Sequence, residues 1–168
     1  MYLSSTPLRI SLFGGSTDNP EFIRNYNKSL VISFQVNLRT YIFLHRDKYG
    51  INSSNNKYKI IYSRVETTDK LKLIKNKLIR HVLEAYDMPP VTVFVTSDIY
   101  SKGNGLSSSS SYILSLIKSC NSFHKIKLND QEICKKALKI ERKFNSGCGF
   151  QDPFGCQIPG LKIMKSTD

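Results

Sequence analysis

The sequence has 168 residues, 40% of them hydrophobic, with 9 Phe and 9 Tyr, which suffices for the core of one domain over residues 1–168 and excludes a disordered chain. No apolar run approaches membrane-spanning length and the N-terminus lacks a charged-then-apolar leader, so a cytoplasmic protein without membrane contact is expected. The net charge of +12 raises nucleic acid as a partner. However, the lysines are scattered and no aromatic-interleaved basic strand appears, so attraction of a phosphorylated small substrate is the preferred explanation. Cys120, Cys134, Cys148 and Cys156 form no C-x-x-C pair, which points to reduced structural thiols rather than zinc ligands.

In chain order, Thr6–Phe13 alternates apolar and polar residues and predicts a strand, with Arg9 on the polar side. It runs into Gly14-Gly15-Ser16-Thr17-Asp18-Asn19-Pro20. The plainer reading of that segment is a glycine turn with Asp18 as turn or cap residue. The functional one is a Gly-Gly approach to a ligand, with Asp18 accepting sugar hydroxyls and Arg9 facing phosphate. Ser29–Val36 and Arg39–His45, separated at Asn37, read as an antiparallel pair, and Lys57–Tyr62 as a further strand after a polar loop over Lys48–Asn56. A helix is predicted from Asp69 to about Tyr86, its stripe of Leu71, Ile74, Leu78, Val82 and Tyr86 being core. Met88-Pro89-Pro90 ends it before the strand Val91–Val95.

Ser97–Ser111 then joins that strand to the helical spacing of Tyr112–Phe123, giving the order strand, Gly/Ser-rich loop, helix. Five serines after Gly103-Asn104-Gly105 fit a flexible linker, and the Lys-Ser/Thr ending of a Walker loop is absent. The tight frame also suits a polyphosphate, because glycines admit close approach and the helix start offers N–H groups and a positive dipole end. A further helix is capped by Asn129 or Asp130, with Glu132 close to a capping-box position and Ile133, Ala137 and Ile140 as its stripe. Glu141 falls near its C-terminus, where the dipole disfavours a carboxylate; a pair with Arg142 or a neighbouring lysine is the plain explanation. Asn145–Gly155 reads as a glycine-rich loop with Asp152 eleven residues after Glu141, and Gly160–Met164 as a short strand. Two carboxylates, one arginine and a serine loop are what a phosphoryl-transfer site needs.

Three segments together resemble the GHMP kinases: Thr6–Asp18, the loop Gly103-Asn104-Gly105-Leu106-Ser107-Ser108-Ser109-Ser110, and Gly149-Phe150-Gln151-Asp152. The first looks most like the sugar-phosphate branch that contains the D-glycero-D-manno-heptose 7-phosphate kinases. The resemblance implies an α+β fold similar to the second domain of ribosomal protein S5, with ATP and Mg2+ as cofactors and a sugar phosphate as acceptor. It implies that Lys102, Gly103, Asn104, Gly105, Leu106, Ser107, Ser108, Ser109 and Ser110 cradle the ATP phosphates, and that Ser109 and Glu141 hold magnesium. Asp152 and Arg9 would act in catalysis, with Arg9, Gly14, Gly15, Thr17, Asp18 and Asp152 facing the acceptor. Ser107 departs from the glycine of the family's Gly-Leu-Gly-Ser-Ser loop, and Tyr100-Ser101-Lys102 from its proline-containing lead-in. The family continues for about another domain after the aspartate loop, so that C-terminal domain, or a second chain, is expected as partner. The other expectations are a non-catalytic half-kinase that binds nucleotide or sugar and, less favoured, a basic nucleic-acid-binding domain.

Overall fold

The computed structural model describes residues 1–46, 57–99 and 105–167. Its elements are β1 (Tyr2–Phe13), α1 (Pro20–Tyr26), β2 (Lys28–His45), β3 (Tyr58–Ile61), β4 (Val65–Thr68), α2 (Lys77–Ala85), β5 (Thr92–Ser97), α3 (Ser108–His124), α4 (Asp130–Glu141), α5 (Gln151–Gln157) and β6 (Lys162–Thr167). The sheet runs β1-β2-β5-β3-β4, with β6 also on β2; all pairings are antiparallel except β3 with β5. This is the expected α+β class. The polar loop expected at Lys48–Asn56 lies outside the described residues.

The antiparallel pair expected on either side of Asn37 is instead one strand of 18 residues. β1 pairs along its whole length, and the register jumps from Pro7↔Arg39 to Leu8↔Val36, so Asn37 and Leu38 form a bulge. Pro7 has no N–H for the ladder, and a bulge opposite it absorbs the missing bond without reversing the chain. The other edge of β2 serves two partners, β6 from Lys28 to Ser33 and β5 from Thr40 to His45.

The helix predicted from Asp69 to Tyr86 is shorter. A single 3-10 turn occupies Leu71–Leu73, and α2 begins after Asn76, whose side chain accepts the Ile79 N–H at 3.1 Å. Ile74, buried, has extended backbone, and the Lys75 N–H donates to Glu66 of β4, a strand absent from the sequence reading. Leu71 and Ile74 thus reach the core without a continuous helix.

Two further helices stand where none was expected. In α1, Asn19 caps Glu21 N–H, Pro20 opens the first turn, and Asn27 closes it at φ 55°. In α5, Asp152 and Pro153 lie in the first turn, where a missing N–H costs nothing. The capping box of Asn129 and Glu132 opens α4, and Ile133, Ala137 and Ile140 are buried as expected.

The helices cover one sheet face, with α3 across β1 and β2, α5 beside it, and α4 and α2 against α3. The core holds Ile42, Leu44, Ile60, Val93, Ile113 and Leu116. The expected serine loop continues into α3 from Ser108, and Ser111, Ser115 and Ser119 form its sheet-facing stripe. Ser111 bonds Thr40 at 2.6 Å, Ser115 donates to Thr6 at 2.9 Å and Ser119 bonds Ser4 at 2.7 Å. Small hydroxyl residues let this helix approach β1 closely while satisfying one another's polar groups. All four cysteines are free and buried, and burial pushes the thiols of Cys120 and Cys134 up to about 12. No helix among the described residues is long and apolar enough to cross a membrane.

Candidate active site

The fold brings together Arg9 from β1, the start of α3, the end of α4 and the start of α5. Arg9 is 8% exposed and spans two elements. Its Nη1 donates to Gly105 O at 2.8 Å, its Nε donates to Asp152 Oδ1 at 3.1 Å, and its Nη2 forms an ion pair with the same oxygen. Ser107 Oγ donates to Asp152 Oδ1 at 2.7 Å, so three donors converge on one carboxylate oxygen. The Asp152 side chain keeps 27% of its surface exposed.

Glu141 lies beside this group, 2% exposed. Its Oε1 accepts Ser109 Oγ at 2.9 Å and its Oε2 accepts Ser110 Oγ at 2.5 Å. Burial raises its pKa, and the two hydroxyls act in the opposite direction. The pair with Arg142 or a lysine is therefore not what holds Glu141: Arg142 Nε turns to Cys148 O at 3.0 Å. Ser109 is exposed, whereas Ser110 is fully buried and reaches only inward, onto Glu141.

The loop after β1 is used mainly by the protein itself. Gly14 has φ +75°, and a Cβ there would stand 1.8 Å from Leu30 O, so only glycine fits. Thr17 Oγ1 donates to Gly14 O at 2.7 Å, and Gly15 faces the Gln151 side chain. Asp18, 1% exposed, accepts the Gln151 N–H at 2.6 Å; burial foremost, with the Asp152 charge adding, raises its pKa. It thus acts as a cap residue for α5, the plainer of the two readings. Of the expected phosphate loop, Lys102, Gly103 and Asn104 lie outside the described residues. Gly105 (φ +68°), Leu106 and Ser107 pack over Arg9, whose N–H donates to Leu106 O at 3.3 Å.

Two features were given no role of their own in the sequence reading. Gln151 links the loop to α5, its Oε1 accepting Ser11 Oγ at 2.9 Å. A cavity of about 430 Å3 lies beside the exit of β5, lined by Tyr62, Leu78, Val95, Ser97, Ile99 and Tyr112 among others. Its walls come from four separate elements, so no contiguous motif announces it.

Among the described residues no group of three His, Cys, Asp or Glu side chains could hold a metal by itself. A serine hydroxyl and a carboxylate side by side at a helix N-terminus do fit Mg2+ that arrives with phosphates, since this hard cation takes few protein oxygens and keeps the rest from nucleotide and water. The same N-terminus favours the phosphates themselves.

The chain is similar to known kinases in sequence and in fold. A curated relative, the D-glycero-alpha-D-manno-heptose 7-phosphate kinase of Campylobacter jejuni, is 25% identical over 179 aligned residues, spanning 96% of this chain and 50% of its own length. A D-glycero-D-manno-heptose 1-phosphate kinase from Bacteriodes thetaiotaomicron superposes with a TM-score of 0.82 at 22% identity, over 97% of this chain and 55% of that one. The Streptococcus pneumoniae phosphomevalonate kinase, in complex with phosphomevalonate and AMPPNP, superposes at 0.77 and 14% identity, over 100% of this chain and 50% of that one. The chain thus spans about half the length of the proteins it matches. Residues 72–158 match the family described as GHMP kinases N terminal domain, and the chain therefore belongs to the GHMP kinase family.

Proposed function

We propose that the chain is the nucleotide-binding half of an ATP-dependent kinase acting on a sugar or sugar phosphate. The favoured acceptor is D-glycero-D-manno-heptose 7-phosphate, phosphorylated at the anomeric hydroxyl to give the 1,7-bisphosphate, in the cytoplasm. The observation that carries the reading is the convergence of Ser109–Glu141 and Arg9–Asp152 at the N-terminus of α3. The named activity of the curated relative supports the acceptor.

The cavity beside β5 takes the nucleoside base, and Gly105, Leu106, Ser108 and Ser109 lead the phosphates to the helix start. Ser109 Oγ and Glu141 would hold Mg2+, which supplies charge neutralisation on the phosphates. Asp152 takes the proton of the acceptor hydroxyl. The acceptor oxygen forms a bond to the γ-phosphorus, the bond from phosphorus to the β,γ-bridging oxygen breaks, and ADP leaves with that oxygen. Arg9 holds Asp152 through its paired donors and faces the transferred group. Gly14, Gly15 and Thr17 shape the acceptor side, and Asp18 supports it from behind through Gln151. Asp18 touches an acceptor hydroxyl only if its loop opens.

The test is Asp152→Ala in the full-length protein against a panel of sugar phosphates. Turnover falls by about 10²- to 10⁴-fold while ATP affinity is retained. Unchanged turnover removes Asp152 from the mechanism. The rival reading is a domain that binds nucleotide or sugar without turnover. For that reading, ATP binds and no ADP forms on any sugar in the panel.

A further inference from the structure

Ser107 stands at the N-cap of α3 with φ 62° and ψ 39°, the left-handed region that favours glycine, and its side chain makes no cap hydrogen bond. Serine normally earns an N-cap position by accepting a helix N–H. Here the hydroxyl points the other way and donates to Asp152 Oδ1 at 2.7 Å, across 45 residues of sequence. The backbone still starts the helix, since Ser111 N–H donates to Ser107 O at 3.0 Å. The neighbouring hydroxyls do different work, Ser109 and Ser110 both donating to Glu141.

We propose that Ser107 is a positioning residue for Asp152 rather than a phosphate ligand, its hydroxyl fixing the plane of the carboxylate that faces the acceptor. Arg9 approaches Oδ1 from β1 through Nε and Nη2, and Ser107 approaches it from the α3 side. Donation on one oxygen from two directions restrains rotation about the Cβ–Cγ bond more tightly than Arg9 does alone. An unfavourable backbone conformation is retained at 107 because a glycine, which fits the backbone, has no hydroxyl to give. Arg9 Nη1 also binds Gly105 O, so one guanidinium ties the loop and the aspartate together. This role rests on the reading of Asp152 as the group that takes the acceptor proton.

The experiment uses Ser107→Gly and Ser107→Ala in the full-length protein, each alone and combined with Asp152→Ala. Both single variants lower kcat by about tenfold, the effect of losing one hydrogen bond to a charged group, with the Kd for ATP within about twofold of the parent. They lower kcat equally although their backbones differ: Ser107→Ala loses about 2–4 °C of Tm, while Ser107→Gly relieves the left-handed conformation and stays within about 2 °C. In the Asp152→Ala background the Tm loss of Ser107→Ala shrinks to half or less. A tenfold weaker ATP Kd with unchanged kcat makes Ser107 a phosphate ligand and overturns the proposal. Equal Tm losses in both backgrounds overturn it as well, and that result is readable even if the parent phosphorylates no sugar.

Discussion

Ser110, in the first turn of α3, closes on Glu141, the last residue of α4, at 2.5 Å, with both residues almost fully buried. A carboxylate at the C-terminal end of one helix is thereby placed at the N-terminal end of another, where the dipole favours it. Burial still raises the pKa of Glu141, as it does that of Asp18. The folded protein then holds these protons more tightly than the unfolded chain, so stability falls as pH rises. The contribution of the neutral acids is fully present below their ordinary values of 4.5 and 3.8 and is lost as pH rises through the raised folded values. Tm should therefore decline as pH rises above these ordinary values. Glu141→Gln flattens that decline and is at least as stable as the parent near pH 7. A Tm that rises over this range equally in parent and variant rules the linkage out.

Gly149 and Gly155 should respond differently to alanine. A Cβ at Gly149 would lie 2.0 Å from Asp18 Oδ2 and 2.5 Å from Asp18 O, part of it backbone that cannot yield. Gly149→Ala should cost about 3 kcal/mol or more in urea unfolding. At Gly155 the nearest atoms are the Arg9 side-chain carbons, from 3.0 Å. Gly155→Ala should cost less than about 1.5 kcal/mol, yet push Arg9 off Asp152 and lower turnover of the full-length protein. Equal stability losses would remove the distinction.

The cavity beside β5 can be filled from α2. Leu78 lines it from a half-buried position. Leu78→Trp should raise the Kd for ATP by about tenfold or more while Tm stays within about 2 °C, because the added volume enters open space. Isothermal titration with a non-hydrolysable ATP analogue measures it. Unchanged affinity places the base elsewhere.

The hydroxyl ladder under α3 should matter for stability alone. Thr40, fully buried, bonds Ser111 at 2.6 Å and is 3.4 Å from Ser115. Thr40→Val keeps the shape and removes these bonds, so unfolding free energy should drop by about 1–2 kcal/mol with ATP affinity intact. A loss of ATP binding at unchanged stability would instead tie the ladder to the site.

What the sequence determined by itself is what depends on neighbours along the chain. Alternation marked the strands at Thr6–Phe13, Lys57–Tyr62 and Val91–Val95, the capping box opened α4, and helical spacing placed Ile133, Ala137 and Ile140 in the core. The three motifs, with Glu141 and Asp152 eleven residues apart, also pointed to one family. Tertiary structure decided everything that needed a distant partner. Whether the two apolar runs around Asn37 reverse or continue is set by β1, which pairs with both and turns the break into a bulge beside Pro7. The stripe from Leu71 to Tyr86 is the same in a helix as in a 3-10 turn followed by a shorter helix, and Glu66 binding Lys75 selects the second. Glu141 found serines 31 and 32 residues away rather than its adjacent cations, and Asp18 found Gln151 across 133. A local pattern reports which side of an element is buried; which oxygen meets which donor is fixed only when the sheet brings α3, α4 and α5 to one end of β1.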